Sequence, residues 1–358
     1  MMRSLLAAGN VDVNLKDHAG GRALAFAIEG GVPSIVRLML SLDCIELDYL
    51  NSDGGGPLAH AIQEDSLEIV KLLIATGKLE LEAHDLRYGT PLVAAAVYDR
   101  PEIVAFLSSM GSIDLNASST RHTTALCEAA SNGSLDSIFA LLQAGADPDF
   151  GPMRSGKEGE TPLMRAIRAR ESEVVRVLLD TGRVNVNYRI PTTNDSPGAD
   201  TPLTIAVQEG EVGIVKLLLA VDSIDVNVKD NEGKAPLSLA IYSSDAEELV
   251  RLLLETRKAE VNTQDVNGRT PFTCILQKKE TLTREYAQEE NPSPIRTRIY
   301  EEALKSCDNI INILKEHGAR APSQRSIDLF RAAVALHRRL CLRNCEQCEN
   351  DLESRTID

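Results

Sequence analysis

The sequence predicts an all-α solenoid: about eight helix-turn-helix units in a row, preceded by half a unit, joined by short hairpins and closed by a C-terminal capping helix. Three observations carry that prediction. A three-residue box recurs at near-constant spacing, small and aliphatic columns keep step with it, and aromatic residues make up only 4% of the chain, with no Trp. A core built from Ala, Val, Leu and Ile favours thin helical layers over a sandwich or barrel. At 358 residues the chain also exceeds what one compact core normally organises, which points to a repeat array or several domains.

The box comes first, because it sets the register. It reads Arg22-Ala23-Leu24, Gly56-Pro57-Leu58, Thr90-Pro91-Leu92, Thr124-Ala125-Leu126, Thr161-Pro162-Leu163, Thr201-Pro202-Leu203, Ala235-Pro236-Leu237 and Thr270-Pro271-Phe272. Its central residues fall at 23, 57, 91, 125, 162, 202, 236 and 271, so the steps are 34, 34, 34, 37, 40, 34 and 35. Pro in a first helical turn sacrifices no hydrogen bond, because that N–H has no partner inside the helix. A Thr just before it can cap the helix.

Further columns define the rest of each unit. Four residues after the box centre stands Ala27, Ala61, Ala95, Ala129, Ala166, Ala206 or Ala240, small enough for neighbouring helices to approach closely; the column lapses at Ile275. Gly31, Gly133 and Gly210, with Asp65 and Asp99 at the same place, suit a left-handed turn between the two helices. Aliphatic runs such as Ile35-Val36-Arg37-Leu38, Ile69-Val70-Lys71-Leu72 and Ile214-Val215-Lys216-Leu217 then give a second helix with one buried stripe. Each unit closes on a segment such as Asp114-Leu115-Asn116, Asn185-Val186-Asn187, Asp225-Val226-Asn227 or Glu260-Val261-Asn262. No unit can bury its stripe alone, so neighbours must stack.

This pattern resembles the ankyrin repeat, over about residues 3–320. One departure is consistent. The family's His after Pro-Leu is absent, its places being taken by Ala25, Ala59, Val93, Cys127, Met164, Thr204, Ser238 and Thr273. The resemblance therefore implies that the inter-repeat hydrogen bonding supplied by that His is missing.

The domain reading follows the register. Residues 1–16 look like a truncated unit, Leu5-Leu6-Ala7-Ala8-Gly9 aligning with Leu141-Leu142-Gln143-Ala144-Gly145. That suggests a fragment of a longer repeat protein, or a half-unit start acting as a frayed cap. Residues 17–276 form the array, with longer hairpins around 151–160 and 189–200. Residues 277–306 are a charged insertion in the last unit, read as helix, a break at Pro292 and Pro294, then more helix. The second helix of that unit follows at 307–320. Residues 321–344 form an amphipathic capping helix, with Ile327, Phe330 and Val334 on one face, and 345–358 a disordered tail.

Charge and composition exclude several functions. The formal net charge is −15, so the overall field repels phosphate and disfavours direct nucleic-acid binding or an anionic membrane surface. No apolar run is long enough to span a bilayer. Seven scattered cysteines give no disulfide framework, and reduced thiols point to the cytoplasm or nucleus. His337, Cys341, Cys345 and Cys348 are the one cluster resembling a metal site. A single Cys-x-x-Cys without a second converging segment does not make a zinc site, so no metal and no cofactor are expected. There is no Gly-x-Ser-x-Gly elbow and no phosphate loop, and the chain reads as a non-enzyme.

The resemblance implies instead a monomeric scaffold that binds protein partners along the concave side of the array, through hairpin tips and first helices. Carried over by repeat position, that face includes Arg87, Tyr98, Arg121, Asn132, Arg168, Gln208 and Tyr242. Tyr and Arg dominate interface energetics, which places the expected centre at Arg87, Tyr98, Arg121 and Arg168. The other reading is the recognition segment of a larger signalling or ubiquitin-ligase protein.

Overall fold

The structure is a computed structural model, and it describes residues 12–18, 21–49, 55–81, 89–119, 122–152, 159–190, 200–289 and 293–320. The truncated first unit, the amphipathic segment 321–344 and the tail lie outside the described residues, apart from residues 12–16. Among those described, every regular element is helical. The chain divides into two compact units, Met1–Thr256 and Arg257–Asp358.

The first unit contains seven consecutive helix pairs. They are α1 (Ala23–Glu29) with α2 (Pro33–Leu40), α3 (Pro57–Gln63) with α4 (Leu67–Ala75), and α5 (Pro91–Val97) with α6 (Pro101–Ser108). Next come α7 (Ala125–Asn132) with α8 (Leu135–Ala144), then α9 (Pro162–Arg168) with α10 (Ser172–Asp180). The last are α11 (Pro202–Gln208) with α12 (Val212–Leu219), and α13 (Pro236–Ala240) with α14 (Ala246–Glu255). Within a pair the two helices pack on each other, and each first helix packs on the next first helix. Second helices also pack on the next second helix from α2 to α8 and from α10 to α14. The Ala column and the paired aliphatic residues of the second helices fill the layers between units, and nearly all are fully buried.

The boxes start the helices as their chemistry requires. Thr90, Thr124, Thr161 and Thr201 accept a hydrogen bond from the backbone N–H three residues on, at 3.2 to 3.4 Å. Arg22, Gly56 and Ala235 give their helices no side-chain cap. Between the helices of a pair the chain turns through a left-handed residue: Gly31, Asp65, Asp99, Gly133, Arg170 and Gly210 have φ between +53° and +76°. At Gly133 the constraint is also steric, since a Cβ there would lie 2.7 Å from Glu171 Oε2.

The absent His is partly replaced. Thr204 Oγ1 accepts from Thr201 N at 2.7 Å and donates to Thr201 O at 2.9 Å, which makes a capping box from two threonines. Cys127 Sγ lies 3.6 Å from Glu160 O and 3.9 Å from Phe150 O, a weak bond into the following hairpin. Hydrogen bonds between units come mainly from the exit segments. Asn14 Nδ2 donates to Cys44 O at 2.6 Å while its Oδ1 accepts from Glu46 N at 3.1 Å. Asn187 repeats the pattern, with Ser223 O at 2.7 Å and Asp225 N at 2.8 Å. Asn116 Oδ1 accepts from Asp147 N at 3.0 Å, and Asp149 accepts from Asn185 N at 2.9 Å. An amide offers both a donor and an acceptor, so one Asn can tie down both backbone groups of its neighbour.

In the second unit a hairpin is organised by Asp265, which accepts from Asn267 N and Arg269 N and pairs with Arg269 Nε at 2.6 Å. Thr270 caps α15 (Pro271–Gln288), and Ser293 caps α16 (Pro294–Glu316). The two helices pack together, burying Phe272, Cys274 and Ile275 of α15 and Cys307, Ile310 and Leu314 of α16. The charged segment is thus helical on both sides of its break, and the second helix starts at Pro294. Asn262 closes this unit by bonding Gly318 O at 3.1 Å and Arg320 N at 2.8 Å.

Candidate protein-binding face

The seven residues expected on the binding face fall into three groups. Arg87 and Arg121 lie outside the described residues. Tyr98, Asn132 and Arg168 sit at the ends of first helices and reach across to neighbouring units. Tyr98 Oη donates to Gln63 Oε1 at 3.2 Å. Asn132 Nδ2 donates to Ala96 O at 2.9 Å and Val97 O at 3.4 Å, satisfying carbonyls at the end of α5. Arg168 pairs with Glu160, with Asp200 at 3.3 Å and with Glu209 at 3.6 Å. Gln208 and Tyr242 are exposed, Tyr242 with 48% of its surface open and Lys234 Nζ 5.7 Å from its ring centre.

Arg168 is one member of a larger network that the sequence did not reveal. Arg165 pairs with Glu128 at 3.3 Å and Glu160 at 3.7 Å, and Arg170 with Glu211 at 3.2 Å and Glu209 at 3.9 Å. Three arginines of one unit thereby join acids of the units on either side. Asp200 remains crowded: burial pushes its carboxyl up, Arg168 pulls it down, and Asp230 and Glu160 push it up again. Arg100 does similar work one face over, donating to Gln63 O at 2.8 Å and lying 3.6 Å from Asp65.

Among the described residues no three His, Cys, Asp or Glu side chains converge as metal ligands. The cluster at His337 to Cys348 lies outside them. Cys127 is buried in the array, and burial pushes its thiol up.

Family profiles match across the same stacked helix pairs. The profile described as ankyrin repeats matches three times, over residues 1–85, 78–151 and 188–265, and the single ankyrin-repeat profile matches 158–190. The chain belongs to the ankyrin-repeat family. Ankyrin repeats are generally protein–protein interaction modules, and the fold is typically non-catalytic. The crystal structure of the human ASB11 ankyrin repeat domain is similar to this ankyrin chain, with a TM-score of 0.53 and 20% identity. The similarity covers 65% of this chain and 98% of that one. No curated protein matches the sequence at a significant level. No described helix is long and apolar enough to cross a membrane.

Proposed function

We propose that this ankyrin chain is a monomeric, non-catalytic scaffold of the cytoplasm or nucleus that binds a protein partner along the concave side of its array. The observation that carries the reading is the row of first-helix ends. Tyr98, Asn132 and Arg168 are held by neighbouring units, so the row is ordered before a partner arrives, while Gln208 and Tyr242 are exposed on the same row. Side chains ordered in advance lose less entropy on binding. An exposed Tyr beside a Lys offers an apolar ring with a charged edge, the chemistry that anchors interfaces. Hairpin-tip residues Arg87 and Arg121 complete the proposed contact surface.

The test begins with affinity purification on the intact chain and ends with titration of the recovered partner. Replacing Gln208 and Tyr242 together by Ala is expected to weaken binding at least about tenfold, a loss of about 1.4 kcal/mol. The thermal midpoint should not move, because both side chains are exposed. Unchanged affinity in that double variant and in an Arg87→Ala/Arg121→Ala variant rejects this face.

A further inference from the structure

The second helices carry a different regularity. In α2, α4, α6, α8, α10, α12 and α14 the residue after the buried aliphatic pair is exposed: Arg37, Lys71, Ala105, Phe139, Arg176, Lys216 and Arg251. Three residues before it stand Ser34, Glu68, Glu102, Asp136, Glu173, Gly213 and Glu248. The two columns form a ladder of ion pairs. Arg37 reaches Glu68 of the next unit at 3.1 Å, and Lys216 reaches Glu248 at 2.7 Å. Arg176 and Arg251 pair within their own helices, with Glu173 and Glu247.

The ladder stops at Ala105 and Phe139. Lys71 lies 5.2 Å from the Phe106 ring, and Glu102 and Asp136 are exposed with no ion pair among the described residues. One turn further along, the column reads Ala75, Ser109 and Gln143, none of them charged. Phe139 is 46% exposed and is the only large apolar residue exposed within these seven helices.

We infer that Phe139, the small residues Ala105 and Ser109 and the acids Asp136 and Glu102 form a second docking site, for a protein segment carrying an apolar side chain next to Lys or Arg. The ring and the small residues Ala105 and Ser109 supply apolar contact. Asp136 and Glu102, which in other units have the place of ion-pair partners, are free to receive the incoming cation. An Arg or Lys at position 139 would continue the column of exposed cations. Because this site lies on the second helices, it can be occupied independently of the first-helix row, making the chain a bridge between two partners.

The test uses the full chain with the photo-crosslinker p-benzoyl-phenylalanine at position 139 or, as control, in place of Lys216, irradiated in an extract of the source cells. The expected result is an adduct at 139, absent at 216, on a segment where an apolar residue neighbours Lys or Arg. A synthetic peptide of that segment should then bind the full chain. Phe139→Ser and Asp136→Asn should each weaken that binding at least about tenfold while keeping the wild-type thermal midpoint. Absence of an adduct at 139 overturns the inference. So do adducts only between two copies of the chain, a crosslinked segment lacking that chemistry, or binding that both substitutions leave unchanged. Binding that survives the Gln208→Ala/Tyr242→Ala variant separates this site from the concave face.

Discussion

Thr201 and Ala235 occupy the same place in successive units, and the helices that follow them start differently. Thr201 Oγ1 accepts from Thr204 N at 3.3 Å, whereas Ala235 leaves the corresponding N–H without a side-chain partner. Thr201→Ala is expected to cost about 1 kcal/mol in chemical denaturation, and Ala235→Thr to recover a similar amount. That much was legible, because a Thr before Pro announces a cap. The second bond of Thr204 was not, since nothing in one sequence says that a hydroxyl at the family's His position folds back on its own helix. Arg170 was also hidden: a left-handed φ of +64° on an Arg follows no residue preference and is imposed by the turn around it. Tyr49 offers a residue-scale test by pH. Burial pushes its hydroxyl up to about 12 against the opposing pull of Arg22. The unfolded side chain ionises near pH 10. The folded state therefore holds the proton more tightly. This contribution is intact below about pH 10 and is lost as pH rises towards 12. Urea midpoints of wild type and Tyr49→Phe should diverge less at pH 9 than at pH 11, with wild type losing the more (pH values set by the model-peptide figure of about 10). Parallel curves would show that Tyr49 does not govern the alkaline limb.

At the scale of elements, the exit segments do more than connect. Asn187 binds a carbonyl and an N–H of the next exit segment, at 2.7 and 2.8 Å. Asn187→Ala removes both bonds and is expected to cost about 1–3 kcal/mol. The outer ion pairs are the contrast. Arg37 and Glu68 are both well exposed, so Arg37→Ala should cost under about 1 kcal/mol. Equilibrium denaturation of the two variants side by side checks the order, and an Asn187 variant as stable as Arg37→Ala would remove the ladder of amides from the account. The sequence placed the helices, their turns and the break near Pro294, because each has a local signature in Pro, Gly or periodicity. It named the Asn column without its role. It named Tyr98, Asn132 and Arg168 as partner-binding without revealing that each also engages a neighbouring unit. Tyr98 and Gln63 are 35 residues apart, and Asn132 and Ala96 are 36. Which way a side chain leans across one repeat length is set by stacking, and no local pattern encodes it.

For the whole molecule, the seven pairs of the first unit are a chain of nearest neighbours, each stabilised by the contacts on its two sides. Such an array need not unfold at once; a single junction can part while the rest holds. Cys127 is buried where α7 meets the following hairpin, its sulfur against Glu160 O and Phe150 O, and burial raises its thiol so that the reactive thiolate is scarce. Cys44, by contrast, is exposed. A pulse of iodoacetamide followed by peptide mapping should therefore modify Cys44 at once and Cys127 only as fast as that seam gapes, and a ligand clasping both sides should slow it further. Equal rates for the two thiols would mean that the seam is never shut. The same sulfur that stands in weakly for a missing imidazole thus gives the molecule a stopwatch, one that times the breathing of its middle without any residue being replaced.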